Sequence, residues 1–493
     1  MSIRSKMIVG AGWSISSQLV VQALSFVSMI ILARLLTPDD FGVVAIGLAT
    51  QAVVGSLLVV TPGQALVRLR RIGRTHLNTA FTMTLIRAVG VGAILALSAW
   101  PLSLAYDDPR LVNIMLILGL ATTTNGFANP ATIFFDRELV FWQRFATQTS
   151  AKLMSLIVSA TLAWLTGSYW ALLLGSLAGQ WVTILVSYIV KPYRPGFSLR
   201  RFSDIWGFSK NITVSAVIDT LSWRMDEFVI PAFSSPAMLG RYTMGTQISS
   251  MAVQNLTQPV ISTLYPAFAR IAHDRRALTT NYLKVVELVL SLSLPAGVGI
   301  ALLAGPLVTL LLGPGWGPAA FVIQVVGPAA ALMVASDISR TLAMSLGRTE
   351  EVSRLSVRQS MVRVPLILGG AFLGGFHGVV LARIFIVPNN LFQQQRMVHR
   401  LIGITVLQIL GAISRTLLGV GLMIAAVIGA RAALPALGLP PAEEHLAVTI
   451  GLALLGAATY ALVRLVMWRL QGRPDGPETE AFALLGGLRS RFA

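Results

Sequence analysis

Residues 209–233 read SKNITVSAVIDTLSWRMDEFVIPAF. The stretch is long and apolar enough to cross a bilayer, yet it carries Asp219, Arg224, Asp226 and Glu227 in its middle and outer half. A charge at the centre of a membrane helix costs about 2.5–3.5 kcal/mol on insertion scales, so such a residue faces a partner or a water-filled cavity. Asp219 and Asp226 are seven apart and share one helical face. Arg224 and Glu227 are three apart and can pair. Two readings follow: a self-neutralised cluster that fixes packing, or a hydrophilic cavity through which something polar crosses the membrane.

The whole chain is built like this stretch. Its 493 residues are 55% hydrophobic and only 12% charged, about half the charge of a soluble domain. Apolar runs of membrane length recur from end to end, which indicates a polytopic helical membrane protein. The ten-residue alternation of a membrane β-barrel is missing. The first run, 8–36, follows Arg4 and Lys6. It is too long for a signal-peptide core and lacks a small-x-small cleavage site, so it reads as a retained first helix. On a soluble protein a net charge of +18 would suggest nucleic acid. Here it marks cytoplasmic loops, and no nucleic-acid partner is expected. The absence of cysteine excludes disulfides, thiolate catalysis and cysteine-ligated metal. The five histidines are scattered, and no HExxH, Walker A or complete GxGxxG occurs. No metal and no cofactor are expected.

Hydropathy predicts helices near 8–34, 41–62, 79–103, 111–133, 148–166, 169–190, 209–233, 238–265, 282–304, 320–346, 357–375, 378–397, 406–432 and 446–468. Every second loop is basic, as at Arg68, Arg70, Arg71 and Arg74 or at Arg137 and Arg144. The alternate loops hold Asp39, Asp40, Asp107, Asp108, Glu443 and Glu444. That asymmetry places both termini in the cytoplasm and requires an even number of helices, about fourteen. A repeat is also visible. Leu24-Ser25-Phe26, Ala33, Pro38, Gly42 and Pro62 are echoed by Leu221-Ser222-Trp223, Ala232, Pro236, Gly240 and Pro259. Both copies start on the same side, so they are parallel repeats about an axis along the membrane normal. The predicted architecture is an all-α polytopic membrane protein with a central cavity. Two pseudo-symmetric six-helix bundles, 1–200 and 201–402, precede a terminal helix pair, 403–468, and a cytoplasmic tail, 469–493.

Two predicted helices carry polar rows. Helix 1 presents Ser14, Gln18, Gln22 and Ser25 on one face, and helix 8 presents Thr243, Gln247, Ser250, Gln254 and Gln258. Such rows either join helices, at about 1 kcal/mol per contact, or line a central cavity. Arg87 and Arg224 sit about two turns from their helix ends and are candidates for binding an anion through paired hydrogen bonds. Asp337 and Arg340 read as a structural i,i+3 pair, and Arg363, Arg383 and Arg415 as further intramembrane charges. Pro259, Pro295, Pro328, Pro365 and Pro388 fall inside helices and permit bending. Gly175-x-x-x-Gly179 and Gly370-x-x-x-Gly374 read as packing seams.

Several segments resemble a known family: ILARLLTPDDFGVVAIGLA (31–49), QALVR (64–68), HLNTAF (76–81), DRELVFWQRF (136–145), LGRYTMGTQ (239–247), LYPAFARI (264–271) and LLLGPGWGPAA (310–320). Together they resemble the polysaccharide-transporter branch of the multidrug/oligosaccharidyl-lipid/polysaccharide exporter superfamily, which includes Wzx-type flippases. ARLLTPDDFG is the most specific of them. The resemblance implies two six-helix bundles facing a central cavity, and transfer of a lipid-linked saccharide from the inner to the outer leaflet. Asp226 matches an acidic position late in the family's helix 7, and Arg224 the basic or polar position before it. Where the family has a glycine-containing turn, this chain has Pro231-Ala232-Phe233-Ser234.

The resulting expectation is a flippase for polyprenyl-diphosphate-linked oligosaccharide in a bacterial inner membrane. Its partners would be that substrate, membrane lipids and, as candidates, polysaccharide polymerase and export machinery. The cavity candidates are Arg224, Asp226, Asp219, Glu227, Arg87, Gln18, Gln22, Gln247 and Gln254, arginines for phosphate and amides for hydroxyls. The membrane potential, worth about 2.3 kcal/mol per charge per 100 mV, would bias export of a diphosphate. Protonation of Asp219 or Asp226 is the other source of coupling, with H+ or Na+ left open. A multidrug or small-metabolite antiporter of the same fold is the alternative. A membrane glycosyltransferase or polymerase, using Asp39-Asp40 or Asp107-Asp108 as acids, is disfavoured because the outer loops are too short to hold an acceptor. No enzyme is expected.

Overall fold

The computed structural model describes residues 3–58, 73–138, 142–438, 440–442 and 445–472, with side chains described except at 3–15, 136–138, 203–216 and 437. Pro62, the QALVR segment, Arg70, Arg71, Glu443, Glu444 and most of the tail lie outside the described residues, as do the side chains of Arg4, Lys6, Ser14 and Arg137. The long elements are all helices: α1 (Ile3–Leu35), α2 (Pro38–Leu57), α3 (Arg74–Tyr106), α4 (Arg110–Asn125), α5 (Trp142–Thr166), α6 (Trp170–Val190), α7 (Phe202–Phe233), α8 (Pro236–Arg270), α9 (Arg275–Leu302) and α10 (Gly317–Ser345). Thr349–Ile402 leaves helical backbone at Gly374 (φ −148°, ψ 18°) and Gly375 (φ 52°, ψ −131°), so its arms 349–373 and 376–402 are α11 and α12. α13 (Val406–Ala433) and α14 (Leu446–Leu470) follow. Fourteen long helices among the described residues agree with the loop-charge reading. Ten, with α11 and α12 counted together, are long and apolar enough to cross a membrane by length and composition. By internal contacts the chain forms two compact units, Met1–Gly240 and Arg241–Ala493.

In the N-terminal unit, the residues of TPDDFG each have a separate task. Thr37 caps α2: its hydroxyl accepts from Asp40 N at 3.3 Å, while the Asp40 carboxylate accepts from Thr37 N at 3.0 Å. This capping box satisfies donors that a helix start leaves bare. Pro38 stands at the first helical position, where its missing N–H is not needed. Asp39 pairs with Arg110 at 2.7 Å, and Arg110 reaches Asp108 at 2.7 Å. The second Asp40 oxygen accepts from Tyr169 N at 3.2 Å, tying the start of α6 to the start of α2. A side chain at Gly42 would collide with the Pro236 carbonyl, and one at Gly240 with the Pro38 carbonyl. Only glycine permits backbones to approach this closely. α7 packs along α2 in the same unit.

Two boundaries differ from the hydropathy reading. α4 ends at Asn125 rather than near 133. Asn129 precedes Pro130, which biases it away from helix, and its side chain builds the turn. It accepts from Ala131 N at 2.9 Å and donates to the carbonyls of Ser187 (3.0 Å) and Lys191 (2.8 Å). α5 begins at Trp142 rather than near 148, so Arg144 lies on a helix and not in a loop. The Gly175/Gly179 row is a packing seam: side chains there would press on Ser159, Ser155 and the Ala151 carbonyl of α5.

In the C-terminal unit the apolar core gathers Phe268, Tyr282, Val289, Ile338 and Val398. α11 folds back on α12 with Gly370 against Gly378, whereas Gly374 belongs to the break itself. A buried ionic cluster joins the last two helices to α9. Glu287, 7% exposed, bonds Arg415 of α13 at 2.5 Å and lies 3.7 Å from Arg464 of α14. Arg464 also donates to Thr416 Oγ1 at 2.7 Å, and the Tyr460 hydroxyl donates to the Ser291 carbonyl at 2.7 Å.

Candidate functional site

Gln18 and Gln22 stand on the wall of a cavity of about 660 Å³ inside the N-terminal unit, between α1, α5 and α6. The facing wall is a stripe on α5: Arg144, Gln148, Lys152 and Ser155 recur every three or four residues and share one face. Arg144 and Lys152 are separated by roughly 12 Å of helix rise. Ser17 positions Gln148 by donating to its Oε1 at 3.2 Å. Ser176 and Thr183 of α6 add hydroxyls. Among the described residues, two cations and no carboxylate line this space. Lys152 is half-buried and has no ion-pair or hydrogen-bond partner among the described residues. An ammonium held inside membrane helices without a counter-ion favours an arriving anion. The amides and hydroxyls around it offer donors and acceptors to a polyhydroxylated group.

The charges of α7 distribute differently. Arg224 and Glu227 pair at 2.6 Å, as their spacing predicts, with side chains 43% and 15% exposed. Asp226 is 1% exposed, and Asp219 is half-buried. None of the four lines the cavity of α1, α5 and α6. Arg87 lines a smaller cavity of about 300 Å³ with Gln51, Thr122 and Gln180. Its guanidinium donates to the Leu58 carbonyl through Nε and to the Gly55 carbonyl through Nη2 at 3.1 Å. These carbonyls belong to the end of α2, where intrahelical donors run out, so Arg87 closes that helix end. In the C-terminal unit Gln247 and Gln254 are exposed on α8, while Met244, Ile248 and Val253 of the same helix are buried.

The carboxylates of Asp39, Asp40 and Asp108, three of the four acids considered for catalysis, are engaged in structure. Arg110 holds Asp39 and Asp108, and Asp40 belongs to the α2 cap. Hydrogen bonding to Asp108, with Asp39 adding to it, raises the Arg110 guanidinium above its ordinary value against the opposing effect of burial. Asp107 ends α3 in left-handed backbone, its N–H on the Ser103 carbonyl.

The sequence reading missed Lys152 and Gln148. The signal was present as Arg144-x-x-x-Gln148-x-x-x-Lys152, but the stripe crosses the point where hydropathy alone begins the helix.

Membrane-length helices around a cation-lined, amide-rich cavity define a polytopic membrane protein with a transporter fold. Among solved structures, the chain shares the fold of the Lipid II flippase MurJ in its inward closed conformation. The TM-score is 0.72 over 94% of this chain and 100% of that one, at 13% identity. The chain belongs to the polysaccharide biosynthesis protein family, whose match spans residues 31–321. The lipopolysaccharide biosynthesis protein WzxC of Escherichia coli (strain K12) is 24% identical over 416 residues, covering 82% of this chain and 83% of WzxC. The succinoglycan biosynthesis transport protein ExoT of Rhizobium meliloti (strain 1021) is 24% identical over 307 residues, covering 62% of each.

Proposed function

We propose that this chain is a flippase, moving a polyprenyl-diphosphate-linked oligosaccharide of a surface polysaccharide from the inner to the outer leaflet of a bacterial inner membrane. It acts as a transporter and not as an enzyme. The observation that carries this reading is the cavity of the N-terminal unit, with Arg144 and Lys152 on one stripe of its wall and no carboxylate there among the described residues. The planar fork of Arg144 suits a phosphate, and Lys152 supplies a mobile point charge. Gln18, Gln22 and Gln148 suit sugar hydroxyls. The relatives, a lipopolysaccharide biosynthesis protein and a succinoglycan biosynthesis transport protein, and the fold neighbour, a Lipid II flippase, support the same substrate class.

The same cavity disfavours a cationic drug, whose charge has the wrong sign for a wall that carries Arg144 and Lys152. The pairing of Asp39 and Asp108 with Arg110 disfavours catalytic acids there. Exposed Arg74, Arg194, Arg270 and Arg348 lie at the helix ends expected to face the cytoplasm, with both termini on that side. Arg224, Asp226, Asp219 and Glu227, with Gln247 and Gln254, remain proposed substrate contacts. The repeat-based layout of 1–200, 201–402, 403–468 and the tail is proposed with them.

The test uses full-length protein in proteoliposomes, with lipid-linked oligosaccharide in the inner leaflet and an impermeant lectin outside. The protein is expected to expose the saccharide faster than protein-free vesicles do and to leave a cationic dye undistributed. Accumulation of the dye without saccharide transfer would replace this reading with the antiporter.

A further inference from the structure

Between Val190, the last residue of α6, and Phe202, the first of α7, the chain runs without helix. Such a strap needs outside partners for its backbone, and the HLNTAF motif supplies most of them, with Thr82 just after it. Asn78 Oδ1 accepts from the Tyr193 hydroxyl at 2.6 Å and from Gly196 N at 3.0 Å. Thr82 Oγ1 accepts from Ser198 N at 3.0 Å, and Thr79 Oγ1 from Arg201 N at 3.4 Å. At the other end Asn129 donates to the Lys191 carbonyl at 2.8 Å. The strap is therefore fixed against the start of α3, by a motif that the transport cavity does not use.

What it presents is mixed in character. Phe197 is 77% exposed, although its ring lies 6.0 Å from that of Phe81, and Leu199 and Phe202 are exposed as well. Arg194, Arg200 and Arg201 alternate with them and are exposed. Large apolar side chains among arginines, directly after a membrane-spanning helix, match the boundary between acyl chains and headgroups. Rings and leucine enter the acyl edge, and guanidinium groups meet phosphate. We propose that the strap 191–201 is an interfacial anchor that recognises anionic phospholipid headgroups in the leaflet where α6 ends. The cationic charge selects anionic over zwitterionic lipid, and continuity with α6 places the strap at the bilayer surface rather than against a soluble partner.

The chain has no cysteine, so Leu199→Cys carries a single bimane label. The full-length labelled protein is reconstituted in phosphatidylcholine vesicles containing brominated phosphatidylcholine or, at equal mole fraction, brominated phosphatidylglycerol. Brominated phosphatidylglycerol is expected to quench on the order of threefold more strongly, since each cation near an anionic surface adds attraction. Arg194→Gln/Arg200→Gln/Arg201→Gln is expected to abolish the preference, and the matching triple lysine variant to retain it. Equal quenching by the two lipids, no quenching by either, or a preference that survives the glutamine variant overturns the proposal. None of these readouts depends on transport, so the anchor and the flippase reading fail separately.

Discussion

Gly42 and Gly240 meet backbone to backbone. A Cβ built on Gly42 lies 3.1 Å from Gly240 N, one built on Gly240 lies 3.0 Å from Gly42 N, and each collides with the carbonyl of the proline that opens the other turn. The two glycines occupy matching places in the repeat Pro38-x-x-x-Gly42 and Pro236-x-x-x-Gly240. The contact is therefore reciprocal. Gly42→Leu and Gly240→Leu are each expected to cost about 1–3 kcal/mol by overpacking, read as thermal unfolding in detergent. The double variant should cost less than the sum, because the first substitution already opens the shared contact. Strict additivity would mean that the two positions act independently.

Arg87 is expected to matter for stability before it matters for transport. Arg87→Met removes the donors of the Gly55 and Leu58 carbonyls, a loss of about 1–3 kcal/mol if those groups find no other partner. Transport per folded molecule should stay within about twofold. A variant with unchanged unfolding temperature and strongly reduced transport would assign Arg87 to the substrate instead.

Glu287 is the carboxylate that two buried arginines share, and its removal takes a negative charge away from both. Glu287→Gln is expected to destabilise by about 3–5 kcal/mol. Replacing the whole cluster, as Glu287→Met/Arg415→Leu/Arg464→Met, should recover most of that loss, because the desolvation cost of the ions disappears with them. Thermal unfolding of both variants checks this. A triple variant less stable than Glu287→Gln would show that the hydrogen bond from Arg464 to Thr416 matters more than the cluster's charge balance.

What the sequence made legible was local. Hydropathy and loop charge gave the helix series, and the i,i+3 spacing of Arg224 and Glu227 gave their ion pair. The four-residue spacing of Gln18 and Gln22 marked them as neighbours on one face, and both line a cavity inside the N-terminal unit rather than the central cavity expected between two bundles. The tasks of TPDDFG were not legible, because Arg110, Tyr169 and Gly240 are far away in sequence. Lys152 was missed for a different reason. A lysine inside an apolar run signals function only when its partners are known, and the stripe that includes it starts at Arg144, in a segment too polar for hydropathy to extend the helix. The early end of α4 was readable in principle, since Asn129-Pro130 marks a turn, but the apolar run beyond it masked the break.

The central claim is that the cationic stripe of α5 holds the charged part of a lipid-linked saccharide, and Lys152 tests it most directly. Transport of lipid-linked oligosaccharide is measured in proteoliposomes at equal amounts of folded protein. Lys152→Arg, which keeps the cation, is expected to retain most of the rate. Lys152→Met is expected to lose about tenfold, equivalent to about 1.4 kcal/mol. Lys152→Met/Arg144→Met should fall further, since both described cations of that wall are then gone. Transport at the full rate by the double methionine variant would contradict the account.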